Sequence, residues 1–127
     1  MKILVVGLGS IAKKHIAVLK QLDKDLELFA LRSVHSISSE EGVVNINSLE
    51  ECNHIKLDFA IISNPTHLHK DAILKLIPLQ IPLFIEKPLF DKLGNIELLD
   101  EIHSKKIRTY VACNLRFLDS IIWVKKK

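Results

Sequence analysis

Two short segments carry residue types that can do chemistry. The first is Gly7-Leu8-Gly9-Ser10-Ile11-Ala12, directly behind the apolar run Ile3-Leu4-Val5-Val6 and directly ahead of a helical pattern. This is G-x-G-x-x-A between a strand and a helix, the context in which the pattern binds a dinucleotide. Its spacing has a physical reason. The first glycine permits a tight turn, the second lets backbone approach a pyrophosphate, and the third small residue lets the helix pack close to its strand. Free N–H groups at the helix start, with the positive end of its dipole, then face the phosphates. A plainer reading of the same residues is a tight turn that binds nothing. The second segment is Glu86-Lys87-Pro88. A lysine held at a strand end can hydrogen-bond substrate hydroxyls and stabilise an oxyanion as hydride arrives or leaves. A nicotinamide cation beside it favours the neutral amine, which permits acid–base work. The plainer reading here is a surface ion pair of small value. The Lys87–Pro88 bond is a candidate for the cis form, since X–Pro is where cis bonds occur.

The elements that must position these segments alternate along the chain. Ile3–Val6 is a continuous apolar run, as expected of a parallel strand covered on both faces. Ile11, His15, Val18, Leu19 and Leu22 then predict one buried helical face, with Lys13, Lys20 and Lys24 outside. Leu26–Leu31 reads as a second strand and Ser33–Glu41 as a polar loop. A short strand fits Val43–Ile46, and a weak helix fits Ser48–Cys52. Phe59–Ile62 is a third strong strand, closed by Asn64-Pro65. Thr66 is the expected N-cap of a helix bearing Leu68, Ala72, Ile73, Leu76 and Ile77. Pro78 and Pro82 bracket the way to a strand at Leu83–Ile85. Asp91 is the expected cap of a helix buried through Leu98, Leu99 and Ile102. Thr109–Cys113 is a last strand, with Cys113 as a small core hydrophobe. This βα alternation predicts an α/β fold: a Rossmann-type, doubly wound parallel sheet in three α/β/α layers.

Ligands of open α/β sheets bind beyond the carboxyl ends of the strands. The polar residues expected there are Gly7 to Ile11, then Arg32 and Ser33, then Ser63, Asn64, Pro65 and Thr66, then Glu86, Lys87 and Pro88, and finally Asn114 and Arg116. Arg32-Ser33 stands where an acidic residue would hold a ribose 2′-hydroxyl. A guanidinium and a hydroxyl suit a 2′-phosphate instead, so the cofactor is NAD or NADP with a lean toward NADP. Stacking of Arg32 on an adenine is the simpler alternative. His67 and His69 point in different directions on a helix, which disfavours a metal pair. His69 falls in the first turn of its helix and is expected to face the cleft. His15 reads as a satisfied core-edge histidine, and His35, His54 and His103 as surface. No nucleophile constellation and no metal spacing is present.

The chain has 127 residues, about one domain. Apolar residues make up 48% and charged residues 26%, the composition of an ordinary globular protein. Net charge is +3, too mild for a nucleic-acid footprint, and Lys125-Lys126-Lys127 reads as a solvated end. Cys52 and Cys113 belong to no C-x-x-C pair, which fits a reducing, cytoplasmic setting. An apolar N-terminus has the outline of a leader, but Lys13-Lys14 follows at once without a small-residue cleavage site. No stretch approaches the roughly 20 apolar residues of a membrane span. Ile121-Ile122-Trp123-Val124 is an apolar stretch begun and then abandoned. It is expected to mark a truncated connection, residues 118–127, after a cofactor domain at residues 1–117.

Four segments together carry a family resemblance: Gly7 to Ala12, Asn64-Pro65-Thr66-His67-Leu68-His69, Glu86-Lys87-Pro88 and Asn114-Leu115-Arg116-Phe117. In order and spacing the chain resembles the N-terminal domain of the glucose–fructose oxidoreductase / inositol 2-dehydrogenase family of NAD(P)-dependent sugar oxidoreductases. The resemblance implies that Gly7, Gly9, Ser10 and Ile11 cradle the pyrophosphate. It implies that Asn64, Pro65 and Thr66 line the nicotinamide side, with His69 following as the motif histidine. Glu86 then positions the nicotinamide end, Lys87 touches cofactor and substrate, and Arg116 sits near the nicotinamide. The implied substrates are sugars, polyols or sugar nucleotides, and the implied assembly is a homo-oligomer. The family's second α/β domain, with its acid–base pair, is absent from residues 1–127. This chain alone is therefore expected to bind cofactor weakly or not at all, and to turn nothing over. Two other classes remain open: a stand-alone nucleotide-binding regulatory module, and a structural half that self-associates through its exposed apolar end.

Overall fold

A strand that is apolar on both faces needs cover on both, and the chain supplies it with helices between strands. The computed structural model describes residues 1–33 and 39–126. Six parallel strands form one sheet: β1 (Lys2–Val6), β2 (Glu27–Leu31), β3 (Val43–Ile46), β4 (Phe59–Ile62), β5 (Leu83–Ile85) and β6 (Thr109–Val111). Their spatial order is β3-β2-β1-β4-β5-β6. β1 pairs with β2 from Lys2↔Glu27 to Val6↔Leu31, and with β4 from Ile3↔Phe59 to Val6↔Ile62. The order reverses between β1 and β4, which is where such sheets open a crevice. His35 and most of the predicted polar loop lie outside the described residues.

Alternate residues of each strand feed two cores. On one face Leu4, Val6, Ala60, Ile62, Leu83 and Ile85 meet helices α2 (His69–Leu76) and α3 (Ile96–Ser104), through Ala72, Ile73, Leu76, Leu98 and Ile102. On the other face Ile3, Val5, Leu28, Ala30 and Ile61 meet Ala12 and Ile16 of α1 (Ser10–Leu22). A three-layer α/β/α fold results. Among the described residues no helix is long and apolar enough to cross a membrane.

Several sequence expectations are corrected. The buried stripe of α1 is Ala12 and Ile16 with half-buried Leu19, while Ile11, Val18 and Leu22 are exposed. At 100° per residue this stripe lies roughly a quarter turn from the expected one. Ala12 is the cause: its small side chain brings the helix down onto the sheet along its own line. Thr66 does not cap α2. It opens a single 3₁₀ turn, Thr66–Leu68, behind Pro65, and α2 starts at His69, leaving Leu68 exposed. Asp91 does not cap α3. Gly94, at φ +97°, keeps the chain irregular, and Asn95 precedes the helix, whose Leu99 is exposed. β6 ends at Val111, and Cys113 is exposed rather than core. As an edge strand, β6 leaves the sheet early for a 3₁₀ turn at Asn114–Phe117. The predicted weak helix at Ser48–Cys52 is a 3₁₀ turn, Leu49–Cys52, closed by a capping box of Ser48 and Glu51. Cys52 is buried there, and burial, reinforced by the Glu51 carboxylate, pushes its thiol above the usual range. Residues Ile121 to Val124 lie exposed on a short helix, α4 (Asp119–Lys125).

Burial separates two aliphatic positions. Ile73 is 0% exposed and Leu22 is 77% exposed. Ile73→Ala should cost about 3 kcal/mol in urea unfolding. Leu22→Ala should change stability by less than about 0.5 kcal/mol. Equal costs at the two positions would contradict the assignment of the core.

Candidate functional site

Parallel pairing brings the carboxyl ends of all strands to one pole, and the polar segments meet there. The chain leaves β1 through Gly7 at φ +87°, a backbone conformation that L side chains rarely adopt. The Gly7 N–H donates to the Leu31 carbonyl at 3.0 Å, which ties the turn to the end of β2. A Cβ on Gly7 would stand 3.0 Å from Asn64 Cα, so glycine is required for this approach to the loop after β4. Gly9 differs. Its φ is −76°, it precedes α1, and a Cβ there would meet nothing within 4 Å. The protein itself does not need glycine at this position, and the space beside Gly9 stands open. No acidic side chain occupies the first turn of α1, so the positive end of its dipole is unopposed locally.

Across the switch point, the Ser63 N–H donates to the Val6 carbonyl at 3.1 Å, and its Oγ donates to the same oxygen at 3.2 Å. Ser63 is buried, so its hydroxyl props the glycine turn rather than facing the cleft. Asn64 Nδ2 donates to the Leu68 carbonyl at 3.4 Å, while its buried Oδ1 has no partner among the described residues. A buried acceptor without a donor is costly, and a donor group of a bound ligand would satisfy it. Pro65 is exposed, and Thr66 is half-buried at the mouth of the loop.

His69 corrects its expectation. It is 1% exposed and does not face the cleft. Its Nε2 lies 2.9 Å from the Asn64 carbonyl and its Nδ1 3.2 Å from the Leu89 carbonyl. The ring is a strut between the loops after β4 and β5. Both nitrogens face carbonyl oxygens inside the chain, one of which receives the ring N–H, so the buried ring presents neither to a metal beside exposed His67. Among the described residues no three His, Cys, Asp or Glu gather at metal-binding distance.

Glu86 follows β5, its N–H on the Ile62 carbonyl at 2.9 Å. Its carboxylate does not pair with the Lys87 ammonium. Oε1 accepts from His15 Nε2 at 2.7 Å, and Oε2 accepts the Lys87 backbone N–H at 3.2 Å. Lys87 and Pro88 are exposed, and the bond between them is cis. The surface-ion-pair reading therefore fails for Glu86–Lys87. His15 was legible only as a satisfied histidine; its partner lies 71 residues away, and no local pattern announces it. Arg32 and Ser33 stand at the end of β2, with the Arg32 N–H on the Ile46 carbonyl at 2.9 Å. Arg116 sits exposed in the turn after β6, its guanidinium 6.0 Å from the Phe117 ring centre. The pole thus offers a glycine turn, a free helix start, an unsatisfied amide and an exposed amine. These residues fit a dinucleotide.

Comparison with known proteins places the chain in a lineage. The sequence profile of an oxidoreductase family with an NAD-binding Rossmann fold, Gfo/Idh/MocA, matches residues 1–113. The inositol 2-dehydrogenase of Pseudarthrobacter chlorophenolicus is 31% identical over 96 residues, 70% of this chain and 28% of that enzyme. The chain therefore spans just over a quarter of the length of that relative. The WlbA dehydrogenase of Bordetella pertussis, solved with NADH and UDP-GlcNAcA, superimposes with a TM-score of 0.83 at 19% identity, over 98% of this chain and 40% of that one. The scyllo-inositol dehydrogenase of Lactobacillus casei, solved with NAD(H) and scyllo-inositol, gives 0.81 at 23% identity, over 99% and 40%. At these identities the two structures speak for the fold. The profile match, covering nearly the whole chain, settles the lineage: the protein belongs to the Gfo/Idh/MocA oxidoreductase family, of which it carries the NAD-binding Rossmann domain.

Proposed function

We propose that this chain is the cofactor half of an oxidoreductase acting on a carbinol or carbonyl carbon of a sugar, polyol or sugar nucleotide. Residues 1–117 form the working domain on this reading, and residues 118–127 lead away from it. The observation that carries the reading is the meeting of the glycine turn with Glu86-Lys87 at one pole, bridged by His15 on the glycine-turn helix. The names of the relatives support the substrate class, since they act on or were solved with inositols and a sugar nucleotide.

A bound nicotinamide dinucleotide supplies the hydride acceptor or donor. The chain's own residues do the rest. N–H groups of Gly9, Ser10 and Ile11 bind the pyrophosphate, helped by the helix dipole. Asn64, Pro65 and Thr66 line the nicotinamide side. Glu86 orients the nicotinamide end, and Arg116 borders it. Lys87 holds the substrate oxygen. When a carbinol is oxidised, its carbon gives up hydride and its oxygen gives up a proton, for which the Lys87 nitrogen is the acceptor. In the reverse direction the ammonium returns that proton. Arg32 and Ser33 hold a ribose 2′-phosphate, which favours NADP over NAD.

On this reading the chain alone binds the cofactor weakly rather than not at all, and amide NMR titrations of the chain test the site, because they detect weak binding. Either cofactor should shift the amides of Gly7 to Ala12 and of Lys87. If neither cofactor moves them, the proposal fails. NADP⁺ should bind more tightly than NAD⁺, and Arg32→Ala should erase the difference, weakening NADP⁺ by about tenfold. Tighter NAD⁺ binding would end the NADP assignment.

The two glycines should separate folding from binding. Gly7→Ala forces a left-handed backbone onto alanine against Asn64 and should cost at least about 2 kcal/mol in thermal unfolding. Gly9→Ala should leave stability within about 0.5 kcal/mol. It should weaken cofactor binding by about tenfold or more, because the methyl occupies the approach to the pyrophosphate. With polyols and NAD(P)⁺ the chain alone should form no reduced nicotinamide, measured by absorbance. Robust turnover would show that Lys87 needs no further acid–base partner.

A further inference from the structure

We propose that His15 is a positioning residue that sets Lys87 relative to the phosphate cradle; the inference rests on the reading of this pole as a dinucleotide site. His15 stands on α1, six residues after Gly9, or about 9 Å of helix rise. Its ring is not a loose surface group. It packs edge-on against Phe84 with centroids 5.4 Å apart and planes at 76°, and Phe84 in turn stacks on Tyr110 at 5.5 Å. The aromatic row fixes the ring plane and aims Nε2 at Glu86.

Glu86 carries that constraint onward. Its side chain is only 14% exposed, and its two oxygens have different partners. One accepts from His15 Nε2 at 2.7 Å, and the other accepts the Lys87 backbone N–H at 3.2 Å. Charge-assisted hydrogen bonds of this kind are short and directional. Removing the histidine leaves a largely buried carboxylate without its strongest donor, and such a group reorients toward water. Lys87 N–H would then lose the acceptor that holds it. The chain of contacts therefore runs from the glycine turn, along one rigid helix, through His15 and Glu86, to the backbone of the lysine. A helix that begins by holding phosphates also sets where the amine stands. The path is independent of the His69 strut, which holds the Leu89 side of the same segment.

Three variants of the 127-residue chain test this. His15→Leu keeps apolar bulk against Phe84 but has no donor. His15→Gln places an amide nitrogen near the position of Nε2. Glu86→Gln removes the charged acceptor. Without any cofactor, His15→Leu should move the Lys87 amide resonance while the melting curve stays cooperative, and His15→Gln should return it most of the way. With NAD(P)⁺, His15→Leu should weaken binding by about tenfold, and His15→Gln should recover most of that loss. Should His15→Leu fail to fold, Glu86→Gln carries the test through the cofactor-free readout: it should move the Lys87 amide as well, and His15→Gln added to it should change nothing further. The proposal is overturned if the Lys87 amide is indifferent to the bridge, or if binding is. It is equally overturned if His15→Gln, folded as well as wild type, binds as poorly as His15→Leu. A wild-type chain that takes no cofactor would defeat the reading of the site, while the Lys87 amide would still decide the bridge.

Discussion

The tightest of the glycine approaches is that of Gly7 to Asn64. Two loops that diverge from adjacent parallel strands, β1 and β4, come within 3.0 Å of where a Cβ on Gly7 would stand. A glycine in a left-handed conformation is the only residue that permits this without strain. The approach has two consequences. It lets the turn run on directly into α1 with its N–H groups facing outward. It also places the Asn64 side chain at the lip of the crevice, with one acceptor buried and unsatisfied. The remaining parts of the site are arranged around this point. Leu31 at the end of β2 ties the turn from one side, and Ser63 ties the carboxyl end of β1 from the other.

Two histidines, neither facing the ligand, do the corresponding work at the lysine end. His69 spans the Asn64 and Leu89 carbonyls; His15 clamps Glu86. The Glu86–Leu89 segment is thereby held from both flanks, through backbone on one and through a carboxylate on the other. Exposed loops ordinarily open at little cost because few buried contacts hold them. Here the exposed Lys87 sits between two buried or half-buried anchors. Its backbone is constrained, while its long side chain remains at liberty to meet a ligand.

Much of this was readable in the sequence, for identifiable reasons. Apolar runs at Ile3–Val6 and Phe59–Ile62 give the central strands, because strands covered on both faces lack alternation. Gly7 gives the turn, because only glycine satisfies its geometry. What failed depended on the third dimension. The α1 stripe was displaced because Ala12, too small to register as a hydrophobic anchor, decides how the helix lies. Asp91 was a plausible cap by type, but Gly94 postpones the helix. Cys113 looked like core because an edge strand and a central strand share the same residue preferences. His69 and Ser63 carry polar groups at the right height on the sheet, yet both turn inward to bond backbone carbonyls. Sequence position locates a residue at the pole; it does not say which way the side chain faces. The His15–Glu86 bridge joins positions 71 residues apart and has no local signature at all.

This inward and outward division has a physical logic. Groups that fix geometry are buried or half-buried, and they bond within the chain: Ser63 to Val6, His69 between two carbonyls, Glu86 to His15 and Lys87. Groups proposed to meet a ligand are exposed or left incomplete: Ser10 and Ile11 at the helix start, Asn64 Oδ1, Pro65, Lys87 and Arg116. A preorganised site needs the first set to be rigid before the ligand arrives, since donors that must reorient lose much of their electrostatic effect. It also needs the second set to be poorly satisfied without the ligand, since only then does binding gain from them. Both conditions are met around a single pole. Specificity for the carbon skeleton of a substrate finds little purchase there, because Lys87 and Arg116 recognise oxygen and charge but enclose nothing. On the proposed function, whatever selects one polyol or sugar from another must therefore approach from outside this sheet.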